Sequence, residues 1–300
     1  MNKKLVVGAL VSSAIAGYVN AAEPVNRTEL VVKHSTVKLE RAEGDFIGGS
    51  EADRWSSPSF SLAWVRDLDD AALAIKGELA GYNTQGVEVG QVEDDSPLSH
   101  RTFQVSLLKE VSPHSTVYAG LNYIGVTTTQ VESDSKKDAF GFGVGYARES
   151  DSWAYAINAG AVVDGTEESQ DALIRAQYFG VGAEYAINTK FRVGAGHSYL
   201  TGDEFDLDER KSDQRLASSS IYGEATLGLH RITAGIRHQD WKREDVEGSG
   251  LGDIERADGT GFFISYHLPI GSELKRTERL LLERGPNITE FVMVGGSIMD

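Results

Sequence analysis

The sequence contains no cysteine and only 6 prolines among its 300 residues. Disulfides, thiol nucleophiles and thiolate-bound metals are therefore excluded. Beyond the mixed N-terminal segment, no run approaches the roughly 18 apolar residues that a membrane-spanning helix needs, which excludes a helical membrane bundle. Positive charge is also scarce, because 29 Lys and Arg stand against 45 Asp and Glu and give a net charge of -16. Such an acidic chain is poorly suited to binding the phosphate backbone of nucleic acids.

Glycine, in contrast, is abundant. The chain has 33 glycines, a 40% hydrophobic share and 25% charged residues. The hydrophobic share argues against a disordered chain. Glycine at this density weakens helices and favours strands, turns and close approaches of the backbone.

The first 21 residues have the order of charges and apolar residues that is typical of an export signal. Lys3 and Lys4 precede an apolar stretch over about 5–17, and small residues end at Ala21. The alternative is a buried N-terminal helix, which does not require this order. We therefore predict cleavage after Ala21 and a mature chain that begins at Ala22.

From Phe60 onward, apolar and small or polar residues alternate with period two. In the segment 137–147, for example, Phe140, Phe142 and Val144 fall on one face and glycines fall on the other. The segments are about as long as a tilted strand that crosses a bilayer, roughly 9 to 11 residues. Twelve candidate strands lie at about 30–40, 58–66, 71–82, 101–110, 115–126, 137–147, 153–162, 174–187, 190–200, 216–229, 231–239 and 259–268.

The connections between these segments alternate between short and long. The long links carry most of the acidic excess and lie at about 40–56, 83–100, 127–137, 164–171, 201–214 and 240–258. An up-and-down barrel in the bacterial outer membrane has short turns at one end and long loops at the other. A soluble β-sandwich has no reason to sort its loops in this way.

Large aromatic residues on the apolar face fall into two bands that flank an aliphatic waist. The band near the short turns contains Trp64, Tyr146, Trp153, Tyr155, Tyr185, Phe191 and Tyr266, and the other contains Phe60, Phe103, Tyr123, Phe140, Tyr199 and Phe262. Two such bands suit a surface that meets two lipid–water interfaces. A soluble barrel or sandwich accounts for the alternation but not for the bands.

With these features the chain resembles the Gram-negative outer-membrane β-barrel proteins, in the broad porin-like sense. The resemblance covers the leader and about residues 28–268 and rests on architecture rather than on a sequence motif. It implies an antiparallel barrel of about 12 strands in the cell outer membrane. It also implies contacts with outer-membrane lipids and lipopolysaccharide, and insertion by the barrel assembly machinery. One departure is the C-terminus at Asp300, because such barrels usually end on an aromatic residue.

We divide the chain into a signal peptide (1–21), a transmembrane barrel (22–268) and a C-terminal tail or closing β-hairpin (269–300). A helix from Ser272 to Arg284 is one alternative for the tail, with Gly285 just past its end. The other is a hairpin that closes a fourteen-stranded barrel. Twelve strands are favoured, because Arg276 and Glu278 would both face lipid in a thirteenth.

The polar face of the strands is expected to line the lumen, since charges on the lipid face are costly. The predicted pore-lining residues are Lys76, Glu78, Gln104, Asn122, Asn158, Glu184, Arg192, Glu224 and Arg237. Their mixed signs fit either a wet channel or structural ion pairs, and the glycines on this face favour an open lumen. Twelve strands lie between the filled eight-stranded barrels and the wide sixteen- to eighteen-stranded porins.

Catalytic and metal-binding motifs are weak. The pairs Asp206 and Asp208, and His238 and Asp240, lie toward the long-loop end, as in a rim-located outer-membrane hydrolase, but the His–Asp order is reversed. His197 and Ser198 are adjacent on a strand and therefore point opposite ways. We predict no enzyme, no catalytic residues, no metal site and no cofactor. The acidic loop residues Asp203, Glu204, Asp206, Asp208 and Glu209 suit only loose divalent-cation bridging to lipopolysaccharide.

The functional expectation is a narrow passive channel for ions or small solutes. The alternative from another class is a non-conducting structural or surface-interaction barrel. A rim-located hydrolase ranks below both.

Overall fold

The computed structural model describes residues 26–43, 53–85, 88–89, 92–93, 98–129, 134–164, 173–205, 211–245 and 254–283. Within them, twelve long antiparallel strands close into a barrel. These strands are β1 (Asn26–Glu43), β2 (Asp53–Asp67), β3 (Ala72–Gln85), β6 (Leu98–Ser112), β7 (Ser115–Thr129), β8 (Asp134–Glu149), β9 (Trp153–Asp164), β10 (Leu173–Ala186), β11 (Phe191–Phe205), β12 (Lys211–Leu227), β13 (His230–Asp245) and β14 (Ile254–Gly271). Between β3 and β6, β4 (Glu88–Val89) and β5 (Val92–Glu93) form a separate two-stranded sheet.

Each barrel strand pairs with its neighbours along the chain, and β1 pairs with β14 to close the sheet. Val31 of β1, for example, lies opposite His267 of β14 and Ser61 of β2. The predicted twelve-stranded antiparallel barrel is confirmed. Closure by β1 and β14 leaves no edge in the wall at which a thirteenth and a fourteenth strand could pair.

The outer surface of the barrel follows the predicted alternation. Phe140, Phe142 and Val144 of β8 are each more than half exposed, whereas Gly141 and Gly143 between them are buried. Exposed side chains of this size, repeated around the wall, are what lipid contact requires.

Short turns lie at one end of the barrel, at 68–71, 113–114, 150–152, 187–190 and 228–229. The last uses Gly228 at a φ of 68°, a left-handed conformation that glycine adopts without strain. At the opposite end, much of each predicted long link other than 164–171 is strand. The link 201–214 is an example, because β11 runs to Phe205 and β12 begins at Lys211. Backbone pairing, such as that of Asp203 with Asp213, does not require an apolar outer face. The strands predicted from the apolar periodicity are therefore shorter than the strands in the structure.

After β14 the chain turns back into the barrel. Gly271, at a φ of 83°, permits this change of direction. The helix α1 (Arg276–Glu283) then follows, and its closest strands are β7, β8 and β9. The backbone N–H of Lys275 donates to a Glu278 carboxylate oxygen at 3.0 Å, one half of a capping box, and this places the helix start after Ser272. No described helix is long and apolar enough to cross a membrane.

Of the two alternatives for the tail, residues 276–283 are therefore helical. The rest of the tail in the hairpin alternative, 284–300, lies outside the described residues. The predicted signal peptide also lies outside them, and its cleavage stays a prediction.

Candidate functional site: the lumen and its helix

The helix α1 lies in the lumen at the short-turn end and buries its aliphatic side chains there. Leu280 and Leu281 are fully buried, and Leu282 is nearly so. They form one apolar cluster with small wall residues, among them Ala154 and Ala156 of β9. Small side chains on the inner wall leave the space that the helix occupies, because close packing leaves few voids.

The first turn of α1 is held by an ion pair with the start of β1. The Arg27 guanidinium donates to both Glu278 carboxylate oxygens, at 2.8 and 3.0 Å. The same guanidinium donates to Asp67 at the end of β2, at 2.8 Å. Thr277 adds a hydroxyl contact of 3.0 Å to Thr116 of β7. The N-terminal end of the helix is thus fixed directly to β1 and β7, and through Arg27 to β2.

The cationic face of α1 meets two buried carboxylates on the opposite part of the wall. Arg279 lies 3.2 Å from Glu184 of β10 and 3.5 Å from Glu224 of β12. Arg276 contacts the same Glu184 at 3.2 Å, and Glu224 also pairs with Arg192 of β11 at 2.7 Å. Buried charges need such partners, since each one alone would incur a large desolvation cost.

A second polar cluster lies where the end of α1 meets β1, β13 and β14. His267 Nδ1 is 2.7 Å from a Glu29 carboxylate oxygen and 3.5 Å from Glu283 at the end of the helix. Arg231 of β13 lies directly opposite His267 and pairs with Glu29. His267 Nε2 is 2.9 Å from the Ser265 hydroxyl. Two carboxylates, an imidazole and a guanidinium thus meet at one place, where Glu29, Arg231 and His267 are buried and Glu283 is exposed.

Burial shifts the ionisation of the helix and its connector. Burial raises the pKa of the Glu278 carboxyl, although Arg27 opposes the shift. It also raises the pKa of Glu283 and of Glu273 in the connector. Burial lowers the pKa of Arg279, but the attraction of Glu184 and Glu224 outweighs it and leaves that pKa raised. Arg279 is therefore charged at any physiological pH.

A cavity of about 180 Å³ lies beside the helix, against β1 to β3, β6, β7 and β12 to β14. Its ionisable lining includes both signs: Glu29, Lys33, Lys76, Glu78, Glu224, Arg237, His267, Arg279 and Glu283. Lys76 also donates to the Leu282 carbonyl at 3.0 Å, so that it links the wall to the helix. The cavity is polar and amphoteric, with no single sign of charge.

The nine predicted lumen residues all lie on the inner face of the wall. Six of them line the cavity: Lys76, Glu78, Gln104, Asn122, Glu224 and Arg237. Glu184 and Arg192 belong to the ion-pair network around α1. Asn158 is buried beside Gly180, on the β9–β10 side of the wall. Their part in a conducting pore stays a prediction.

The interpretation of the inner glycines was wrong. A Cβ at Gly143 or Gly160 would overlap the Tyr178 hydroxyl, and one at Gly145 would overlap the Tyr118 ring. The glycines thus make room for the side chains of Tyr118 and Tyr178, which occupy the space that these positions leave. The sequence holds a signal for this packing, since the two tyrosines occupy inner positions on strands that flank the glycine-rich β8 and β9.

Sequence reasoning also missed the second polar cluster. Arg27, Glu29, Arg231 and His267 lie near strand ends, where the phase of the alternation was not followed. Their sequence separation, for example 238 residues between Glu29 and His267, leaves no local motif to find.

The rim candidates for catalysis are not assembled among the described residues. His197 and His238 are exposed on the outer face and pair with the hydroxyls of Ser219 and Thr260, at 2.9 and 3.1 Å. Asp206 and Asp208 lie outside the described residues.

Comparisons with known proteins place the fold. No family model matches the chain, and no curated protein matches it in sequence. Among solved structures, an outer membrane channel from Pseudomonas putida F1 is similar, with a TM-score of 0.61 and 11% identity over 84% of this chain and 98% of that chain. The toluene transporter TodX from Pseudomonas putida gives a TM-score of 0.44 and 9% identity over 82% of this chain and 90% of that chain. The second likeness is too low to carry an argument, whereas the first shows that this chain has the fold of an outer-membrane β-barrel.

Proposed function

We propose that this chain spans the outer membrane as a narrow passive channel for ions or small polar solutes, with α1 as its constriction. The observation that carries the proposal is the charged cavity inside a closed barrel, bounded by a helix whose buried side chains contact the wall. A barrel that served only as a rigid anchor would not need such a cavity. The similar solved structure with a TM-score of 0.61 is itself an outer membrane channel, which supports the same reading.

The charges of the lumen favour small solutes with balanced or single charges over apolar ones. The cavity is lined by Lys76, Arg237 and Arg279 and by Glu78 and Glu224, with Lys76 3.9 Å from Glu78 on the same strand, so its charges are mixed and do not form a single-sign filter. The acidic excess of the long links adds a negative mouth at the other end. We therefore expect weak cation selectivity that falls as salt screens exposed charges, over about 10 Å at 0.1 M.

A specific observation favours the alternative of a non-conducting structural barrel. The buried ion pairs of α1 with Glu184 and Glu224 are the kind that stiffen an interior, and Tyr118 and Tyr178 occupy part of the lumen. In that case α1 would be a permanent plug. Contacts with outer-membrane lipids and lipopolysaccharide, and use of the assembly machinery, belong to either proposal.

Planar-bilayer recording on the refolded mature chain tests the channel proposal. We expect discrete conductance steps. Arg237→Gln removes a positive charge from the cavity wall, so its reversal potential should shift in the direction of greater cation selectivity. Lys190→Gln, at an exposed position in a short turn, is the matched control and should leave the reversal potential unchanged. A folded barrel without conductance steps under any condition would favour the structural alternative.

A further inference from the structure

We propose that Glu29, His267 and Glu283 form a site for a divalent transition-metal cation such as Zn²⁺, which ties the end of α1 to the barrel wall. One ligand atom from each residue lies within 4.8 Å of the others. The three residues come from β1, β14 and the last described turn of α1. A cation bound here would therefore bridge a part of the wall and the helix that the proposed channel uses as its constriction.

The ligand types fit a transition metal of borderline softness. Carboxylate oxygen and imidazole nitrogen bind Zn²⁺ at about 2.0 to 2.2 Å, and imidazole suits zinc better than it suits calcium or magnesium. Ligands at that distance from one ion lie about 3.0 to 3.7 Å apart. His267 Nδ1 lies 3.5 Å from a Glu283 oxygen and 2.7 Å from Glu29 Oε1. The second distance is too short for an ion between these two atoms, so a cation would bind the other Glu29 oxygen, Oε2, after rotation of the side chains.

An unpartnered atom points to a ligand at this place. Glu29 is 1% exposed, yet its Oε2 atom has no hydrogen-bond partner among the residues that the structure describes, while Arg231 and His267 both contact Oε1. A buried carboxylate oxygen without a partner costs free energy. A bound cation at Oε2 would remove that cost without displacing Arg231.

The surroundings of His267 supply the orientation that metal-binding histidines have. Its Nε2 lies 2.9 Å from the Ser265 hydroxyl. When Nε2 carries the proton and donates to Ser265, Nδ1 presents its lone pair toward Glu29 and Glu283. Without a cation, a proton on Nδ1 takes that place and donates to Glu29. A cation that binds Nδ1 displaces this proton, which passes to solvent when Nε2 already carries a proton and is otherwise replaced by one taken up at Nε2.

The balance of charge around the site permits a cation. The connected ion pairs around the site include His267, five carboxylates (Glu29, Glu184, Glu224, Glu273 and Glu283) and four guanidiniums (Arg192, Arg231, Arg276 and Arg279). Five carboxylates against four guanidiniums leave a net negative charge when His267 is neutral, and Arg279 is directed toward Glu184 and Glu224 instead of Glu283.

Calorimetric titration with ZnCl₂ tests the site on the refolded, tag-free mature chain. We expect one saturable site, weakened by about tenfold or more in Glu283→Gln and in His267→Gln, since even outer-shell changes weaken metal sites by about 10- to 100-fold. His238→Gln, which changes an outward-facing histidine, should leave the affinity unchanged. Glu283→Gln lies at the end of the helix and keeps the test valid if His267→Gln does not fold. Titration with CaCl₂ should give much weaker binding, because the hard cation gains little from imidazole.

Zn²⁺ binding that is equal in all three variants would place the cation on the acidic loops and overturn the proposal, as would no binding by the wild type. The effect on α1 rests on the proposed channel. There, ZnCl₂ should lower the open probability of the wild type and not that of Glu283→Gln. If the wild type gives no conductance steps but the variants weaken Zn²⁺ binding, the channel proposal is rejected and the metal site is kept. If the wild type conducts and ZnCl₂ leaves its open probability unchanged, the proposed link between the cation and α1 is rejected.

Discussion

Leu281→Ala should release α1 from the lumen without unfolding the barrel. Leu281 is fully buried within the apolar cluster that includes Ala154 and Ala156. Removal of a buried leucine side chain costs about 2 to 5 kcal/mol. The barrel strands keep their hydrogen bonds, so we expect most of this cost to fall on helix docking. At about 1.4 kcal/mol per tenfold change, the ratio of docked to released helix falls by about 30- to 4,000-fold.

Single-channel recording measures this change as a higher open probability. Leu229→Ala is the matched control, because Leu229 lies in a short turn and is 72% exposed. Heat-modifiable migration on gels confirms that both variants retain a folded barrel. The reasoning is refuted if Leu281→Ala forms a folded barrel, loses protection of the α1 amides in hydrogen exchange and still opens no more often than the wild type.

Three further changes test other parts of the account. Arg279→Ala leaves two buried carboxylates with one partner fewer, so the docking of α1 weakens by up to about 3 to 5 kcal/mol. The reversal potential should also shift in the direction of greater cation selectivity. Lys190→Ala, the control, should change neither quantity. Gly143→Ala forces the Tyr178 hydroxyl to move, and overpacking of this kind lowers barrel stability by about 1 to 3 kcal/mol. Thermal unfolding should show that this loss of stability is smaller when Tyr178→Ala is also present. Burial raises the pKa of Glu283 in the docked helix, so this carboxyl binds its proton more tightly when α1 is docked. Acidification from neutral pH toward the ordinary glutamate pKa of about 4.3 therefore favours docking and lowers the open probability. Glu283→Gln should show a smaller fall in open probability than the wild type.

Each of these has a clear contrary result. An unchanged reversal potential in Arg279→Ala would mean that ions do not pass these carboxylates. Additive losses for Gly143 and Tyr178 would mean that the two do not share space. An equal or steeper pH dependence in Glu283→Gln would mean that its proton binds no more tightly when the helix is docked.

The barrel itself could be predicted because its constraints are repeated along the chain. Lipid outside and a lumen inside impose period two on every strand, and Phe140 to Tyr146 show it plainly. Strand ends were less predictable, because beyond the membrane the outer face no longer needs to be apolar. Polar stretches such as 201–205 therefore resembled loops although their backbones pair.

The interior was harder to predict because its contacts join residues that are distant in sequence. Arg27 and Glu278 are 251 residues apart, and only the closed barrel brings them together. The helix α1 could be expected from Ser272 to Arg284, but its place in the lumen could not. A hint was present in the small inner residues Ala154 and Ala156, which are short of the volume needed to fill a barrel of this size.

A disulfide between helix and wall tests the central claim that docked α1 limits conduction. The chain has no cysteine, so Thr116→Cys and Thr277→Cys introduce a single pair, at positions whose hydroxyls lie 3.0 Å apart. Single-channel recording under oxidising conditions should show the double variant closed, and reduction should restore the openings seen in each single variant. If the oxidised protein is fully cross-linked and opens as often as the reduced protein, α1 does not control the lumen and the account is wrong.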